Sequence, residues 1–230
     1  MIFWLLIFLI ILVASVLLAY SSMKNFPEIP DSKNQYGNQY GVFLVRSPNS
    51  LNSEILQLLK ENNKNQTVSL ERLFKGDRRA LVIFGPRNTL NNFPELELLE
   101  LEDYVNFSQE ILAFEIGMKD GATFVASKLS DDEEIWYQII LGFSKENFFL
   151  VQTRMAVISQ SPERRQSLSD DLFSLNKTFS KLVLPQNQSQ IHEGFKKRIL
   201  FPIRAQKFYS STKEILSSLG ILPPSQRLST

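Results

Sequence analysis

The chain has no cysteine, a single histidine and almost no excess of either charge, with 25 Lys and Arg against 24 Asp and Glu over 230 residues. Each shortage removes a class of function. Without cysteine there are no disulfides, thiolate metal sites or thiol nucleophiles. His192 has no second histidine or cysteine to join it in a transition-metal site, and no serine stands in a nucleophile-elbow pattern to share a triad with it. A formal net charge of +1 gives no global attraction to nucleic acid or acidic membrane, so an electrostatic partner must be met by a local patch. A G-x-x-x-x-G-K-[ST] loop is absent, and the nearest glycine-led turn, Gly85 to Asn88, lacks the second glycine and the lysine.

Carboxylates are plentiful but badly spaced for chemistry. Glu95, Glu97, Glu100, Glu102 and Asp103 interleave with leucines, as on the solvated side of a strand, and Asp131 to Glu134 form a short acidic run suited to a turn. Neither run has the spaced oxygens and central glycine of a calcium loop. The reading is therefore of a protein that is not an enzyme and needs no metal or cofactor.

What the chain does have begins at its start. Residues 2–19 contain no charged side chain and only Ser15 as a polar one, and a helix over this run nearly spans a hydrocarbon layer of about 30 Å. A single-pass transmembrane helix over 1–20, in contact with membrane lipid through residues 2–20, is expected. A cleaved signal peptide is the competing reading, with Ala19 and Ser21 as small residues before the cut, but no Lys or Arg precedes the run. Lys24 and Lys33 slightly favour a cytoplasmic position for the rest of the chain.

Residues 21–40 read as a polar linker containing Pro27 and Pro30. Beyond it, a strand at 42–46, a helix to Asn62, strands at 68–74 and 80–84 joined at Gly76-Asp77, a short helix near 89–93 and a strand at 96–102 make a βαββαβ order. The same order is expected again. Residues 111–118 read as a strand, 122–129 as a helix, 135–143 and 149–158 as strands, and a long helix starts at Ser161-Pro162-Glu163 and carries Leu168, Leu172, Leu175, Phe179 and Leu182 as one stripe. Either 183–184 or 198–203 would close it. The expected fold class is α+β, an N-terminal transmembrane helix followed by two tandem ferredoxin-like plaits at 41–105 and 106–208, then a C-terminal helix and tail at 209–230. Ser211 and Glu214 have the spacing of a capping box for that last helix.

Two surfaces are candidates for binding. In strand 135–143 the face opposite Ile135, Tyr137, Ile139 and Leu141 carries Trp136 and Gln138, and the equivalent face of 149–158 carries Gln152 and Arg154. This face is either open to a protein partner, for which Trp and Arg are favoured anchors, or covered by helices with Trp136 in the core. The second candidate is the basic segment of Lys196, Lys197, Arg198, Arg204 and Lys207, interleaved with Phe195, Phe201 and Phe208. It suits a solvated edge or phospholipid headgroups better than nucleic acid, because no RNA-binding aromatic signature lies on a strand.

Short stretches add a resemblance. Val68 to Arg72, Ala80 to Pro86, Leu99 to Val105, Ser127 to Leu129, Glu133 to Ile139, Gln152 to Ala156 and Pro162 to Arg165, with an ending from Ser211 to Leu216 and Ile221 to Pro223, resemble the membrane-anchored domain of bacterial type IV secretion or conjugation ATPases. The resemblance implies an assembly or docking domain beside a separate motor ATPase. It carries over no nucleotide hydrolysis, since no Walker sequence is present. The alternative is a membrane-tethered module that binds nucleic acid through residues 195–208.

Overall fold

The computed structural model describes residues 8, 11–16, 39–62, 67–105, 111–118, 124–143, 148–181, 188–200 and 208–221. Nine strands are seen among them: β1 Tyr40–Val45, β2 Val68–Lys75, β3 Arg78–Pro86, β4 Leu98–Leu101, β5 Ile111–Met118, β6 Glu134–Phe143, β7 Phe149–Ile158, β8 Phe179–Lys181 and β9 Phe208–Ser210. The helices considered below are α1 Ser53–Asn62, α2 Arg87–Leu90, α3 Pro162–Leu175, α4 Gln188–Lys197 and α5 Thr212–Ser218.

All nine strands belong to a single antiparallel sheet in the order β4-β1-β3-β2-β6-β7-β5-β8, with β9 added to β7. This corrects the expectation of two tandem plaits. Left apart, each half would end on β2 or β6, strands whose Val68, Leu70, Ile139 and Leu141 are fully buried here. Instead Val68 to Lys75 pairs residue for residue with Leu141 to Glu134, which removes two unpaired edges and their exposed backbone groups.

The expected transmembrane helix is also corrected, and with it the membrane location that rested on it. Among the described residues no helix is long and apolar enough to cross a membrane. Of residues 1–20 only 8 and 11–16 are described, and the helical run 11–16 accounts for about 9 Å of rise against the ~30 Å a bilayer requires. The expected linker at 21–40 lies outside the described residues apart from its last two positions.

Strand alternation sorts the apolar side chains. Ile135, Tyr137, Ile139 and Leu141 of β6, Phe149, Val151, Met155 and Val157 of β7, and Leu70, Phe74, Leu81 and Ile83 of the β2–β3 hairpin share the main core. Helix α1 closes it with Ile55, Leu56 and Leu59, α3 with Leu168 and Leu172, and α5 with Ile215 and Leu216. Ser161 caps α3 by accepting from the Arg164 N–H at 3.2 Å, and Ser211 and Glu214 form a reciprocal capping box on α5. The β2–β3 turn needs Gly76, which has φ +50 and lies so close to Asp131 that a Cβ would meet its Oδ1 at 2.8 Å.

Two helix expectations change. Residues 124–130 are not helical; Phe124 stacks on Tyr137 at 4.8 Å, and its N–H donates to the carbonyl of Ser218 at the end of α5. The C-terminal helix thus packs beside Phe124, on the same core as α1. Helix α3 stops at Leu175 because Asn176 takes over its end. The Asn176 amide donates to the Leu172 and Val125 carbonyls at 2.8 and 2.7 Å, and its Oδ1 accepts from the Val125 N–H at 2.7 Å. Phe179 accordingly belongs to β8, the strand beside β5, while 182–184 and 201–203 lie outside the described residues.

Asn176 is buried, and its side chain ties the end of α3 to the segment at Val125. Replacing it with alanine removes three hydrogen bonds and leaves backbone groups of Val125 without partners. Urea unfolding of Asn176→Ala is expected to show a loss of about 2 kcal/mol, with the slope unchanged.

Candidate functional site

The sheet face opposite the main core carries a row of polar side chains set by strand register. Glu71 of β2 lies opposite Gln138 of β6, Gln138 opposite Arg154 of β7, and Arg154 opposite Glu115 of β5. The next row along the strands is Leu73, Trp136, Ala156 and Ala113. Its two alanines leave a shallow platform on which α4 lies, with Ile191 and Phe195 packed against Trp136, Ala113 and Ala156.

Helix α4 therefore covers the face on which Trp136, Gln138, Gln152 and Arg154 were expected to be open. The four do lie together, but all are buried, Gln138 and Arg154 completely. Trp136 touches Tyr104 edge-on at 5.5 Å and Phe195 at 6.1 Å. Gln138 donates from Nε2 to Glu71 at 3.0 Å and to the Phe195 carbonyl at 3.0 Å. Arg154 donates to Gln152 at 2.8 Å and to the carbonyls of Gly194 and Ile199 at 2.7 and 2.6 Å, whereas its contact with Glu115 is long at 3.4 Å. Its best acceptors are thus carbonyls at the C-terminal end of α4, where the helix dipole is negative and favours a cation.

The basic segment is also rearranged. Lys196 is exposed, Lys197 lies 3.4 Å from Glu193, and Arg198 is among the largest fully buried side chains. Arg204 and Lys207 lie outside the described residues. Arg198 is turned inward by its own backbone. It follows α4 with φ +51, its N–H donates to Phe195 O, and the Ile199 N–H donates to Gly194 O, the paired bonds of a Schellman ending. A side chain in this left-handed conformation, where glycine is usual, costs about 1–2 kcal/mol. The guanidinium offsets that cost by reaching Glu71 and Asp103, the first at 2.8 Å through Nε and the second through both terminal nitrogens at 2.9 and 3.0 Å.

Among the described residues the fully buried charges balance: Glu71 and Glu115 against Arg154 and Arg198. Burial pushes the Arg154 guanidinium down to about 10, against the pull of Glu115, and the same desolvation raises the Glu115 carboxyl although Arg154 opposes it. Arg198 behaves in the opposite way. Burial disfavours its charge, but the nearby carboxylates of Glu71 and Asp103 outweigh that and push it above its ordinary value. His192, on α4, is half-buried and lowered by desolvation.

Glu71, Glu115, Asp103 and Tyr104 were not singled out as site residues in the sequence. Glu115 had a usable signal, as the one charge in the apolar run 111–118. Glu71 had a weaker one, since it shares strand parity with Ser69 and Leu73 and not with Arg72. The partners of Asp103 and Tyr104, 95 and 33 residues distant, left none.

The same face holds an open groove of about 480 Å³ beyond the edge of α4, at the end of the β2–β3 hairpin. Leu73, Ala80, Tyr104 and Trp136 form its floor, and Lys75, Arg78 and Glu134 line its rim. Glu134 is engaged by the Lys75 ammonium at 2.6 Å and the Trp136 indole N–H at 3.0 Å. Arg78 makes no ion pair among the described residues; Arg79 belongs to the other face of the sheet, opposite Phe74 in register and 5.8 Å from its ring. Neither the groove nor the buried row holds a metal-ligating cluster: among the described residues there is no group of three or more His, Cys, Asp or Glu placed to bind a metal ion.

No known protein family model matches this chain, and no curated protein matches it. The association with secretion or conjugation is corrected accordingly, because no family or relative supports it.

Two measurements check the electrostatics. Arg154→Met leaves Glu115 buried without its counter-charge and should cost about 3–5 kcal/mol in urea unfolding, with part of the loss recovered when Glu115→Leu is added. Two of the shifted carboxylates, Glu133 and Glu115, should respond to pH with opposite signs. Glu133, held low by hydrogen bonds from Arg164, contributes stability above its unfolded value that is lost as pH falls through its folded value. Glu115, raised, contributes most below its unfolded value and loses that contribution as pH rises. On going from pH 7 to pH 3.5, wild type should lose its advantage over Glu133→Gln and gain relative to Glu115→Gln.

Proposed function

We propose that this protein acts without catalysis, as a docking module, and that the groove beside Trp136 receives a segment of a partner protein bearing bulky apolar side chains and a carboxylate. The observation that carries this reading is the pairing of an apolar, aromatic floor with the Arg78 guanidinium, which has no ion pair among the described residues. A cleft of about 480 Å³ is within the usual range for binding sites. Trp, Tyr and Arg are the side chains most favoured at the centres of protein interfaces. An arginine with no internal carboxylate offers a forked, charge-assisted site to one supplied from outside.

The buried row supports the same reading from the other direction. Its carboxylates and guanidiniums are spent on each other and on α4, so no group there is free to act as acid, base or nucleophile. Rigid backing is what a docking surface gains from this. Trp136 is fixed between Tyr104 and Phe195, and Glu134 holds both its indole N–H and Lys75. A surface with few free rotamers loses less entropy when it binds.

Selection of a phage-displayed random peptide library on the immobilised full chain tests the proposal. Enriched peptides should combine aliphatic or aromatic residues with Asp or Glu. Their binding should fall at least tenfold in Arg78→Glu and in Ala80→Trp, which fills the floor, and should be unchanged in Lys128→Glu. Peptides without carboxylates, or binding that survives both groove variants, would rule the groove out.

A further inference from the structure

The Arg198 guanidinium sits in a cage whose walls come from elsewhere in the chain. Glu71 and Asp103 face it with carboxylates, and the rings of Phe84 and Tyr104 lie 4.8 and 5.6 Å from its central carbon. Besides Glu71 and Asp103, the guanidinium reaches one further acceptor, the Lys196 carbonyl at 3.4 Å. Two carboxylates in hydrogen-bond reach and two aromatic faces are what selective recognition of an arginine side chain requires.

The cage is organised without help from Arg198. Glu71 Oε1 accepts from Ser69 and from Gln138, and its Oε2 accepts from the Tyr104 hydroxyl. Asp103 Oδ1 accepts from the Val105 N–H at 3.1 Å. None of these partners belongs to α4. The occupant, by contrast, is held in a left-handed backbone conformation. Asp103 is half exposed, so the cage opens to solvent on that side.

We infer that the cage formed by Glu71, Asp103, Phe84 and Tyr104 is an arginine-recognition site, filled in cis by Arg198 and exchangeable with an arginine side chain supplied in trans, with release of α4. The inference does not rest on the groove: Tyr104 borders both, but the cage presents carboxylates to an arginine whereas the groove presents a cation to a carboxylate. Exchange would unseat the helix, because Arg198 and the carbonyls of Gly194, Phe195 and Ile199 hold one end of α4 on the sheet. A partner carrying an accessible arginine would thus uncover Gln138, Arg154 and Trp136.

The test has two arms on the full chain, using N-acetyl-arginine amide, with N-acetyl-lysine amide and sodium chloride at matched ionic strength as controls. Arg198→Gly empties the cage and places at that position the residue that best tolerates positive φ. This variant should bind the arginine amide saturably by calorimetry, at least tenfold tighter than the lysine amide. In the wild type, the arginine amide should raise hydrogen exchange of the amides of 191–199 threefold or more and leave those of β3 unchanged. Equal response to arginine and lysine, or α4 exchange that does not move, overturns the inference and leaves Arg198 as a fixed structural pair. If the glycine variant does not fold, the wild-type arm decides alone.

Discussion

The pairing of β2 with β6 is the constraint on which the rest depends. It runs from Val68 opposite Leu141 to Lys75 opposite Glu134, and it merges two groups of strands into one sheet. It also sets Glu71 directly opposite Gln138. Because side chains alternate with a period of two, sliding this register by one residue would move Glu71 into the apolar core and expose Leu70. The polar row across β2, β6, β7 and β5 exists only in this register, so the energetic penalty of burying Glu71 in the wrong place enforces the junction. A buried charge that contributes little net stability can still discriminate strongly between alternative pairings.

The second consequence is the position of α4. An amphipathic helix laid on a flat apolar sheet face could settle at several heights and angles, since hydrophobic burial has no direction. Here the platform of Ala113 and Ala156 admits the helix closely, and the row beside it demands partners. Arg154 and Gln138 satisfy that demand with carbonyls at the C-terminal end of α4, and Arg198 meets Glu71. The strain at Arg198 is then intelligible: a glycine there would end the helix more cheaply but leave Glu71 facing Tyr104 and Gln138 with no cation. Helix ending, charge neutralisation and helix docking are one event.

The local elements were largely legible in the sequence. Strand alternation in β6 and β7 marks the core face, Ser161 and Ser211 mark helix starts, and Gly76 marks its turn. These signals lie within a few residues of the structure they specify. The β2–β6 junction was not legible, because Val68 to Lys75 alternates equally well as an edge strand or as an inner one, and choosing between them requires its partner 59 to 73 residues away. The covering of Trp136 and Arg154 was not legible because α4 itself was not: residues 188–197 read as a polar segment running into a basic one, and their helix shows its apolar side only through Ile191 and Phe195. The expected helix at 122–129 is not formed over 124–129, where Phe124 instead bonds the end of α5 and Val125 bonds Asn176, contacts with distant parts of the chain that local sequence does not announce.

These features also explain why the groove stays open beside so well-covered a face. Helix α4 ends at Lys197, and its last turn is committed to Gln138, Arg154 and Glu71, two residues along the strands from Trp136 and Leu73. It cannot move toward the hairpin without withdrawing carbonyls from a fully buried guanidinium. The apolar floor at Leu73 and Ala80 is therefore left uncovered by α4, and that exposure follows from satisfying Arg154. The charge at the rim has a similar origin. Glu134 is held by Trp136 and Lys75, so it has little left to neutralise Arg78, and that cation remains available to a carboxylate from outside. Electrostatic demand inside the fold thus determines both the opening of the groove and the sign of its rim.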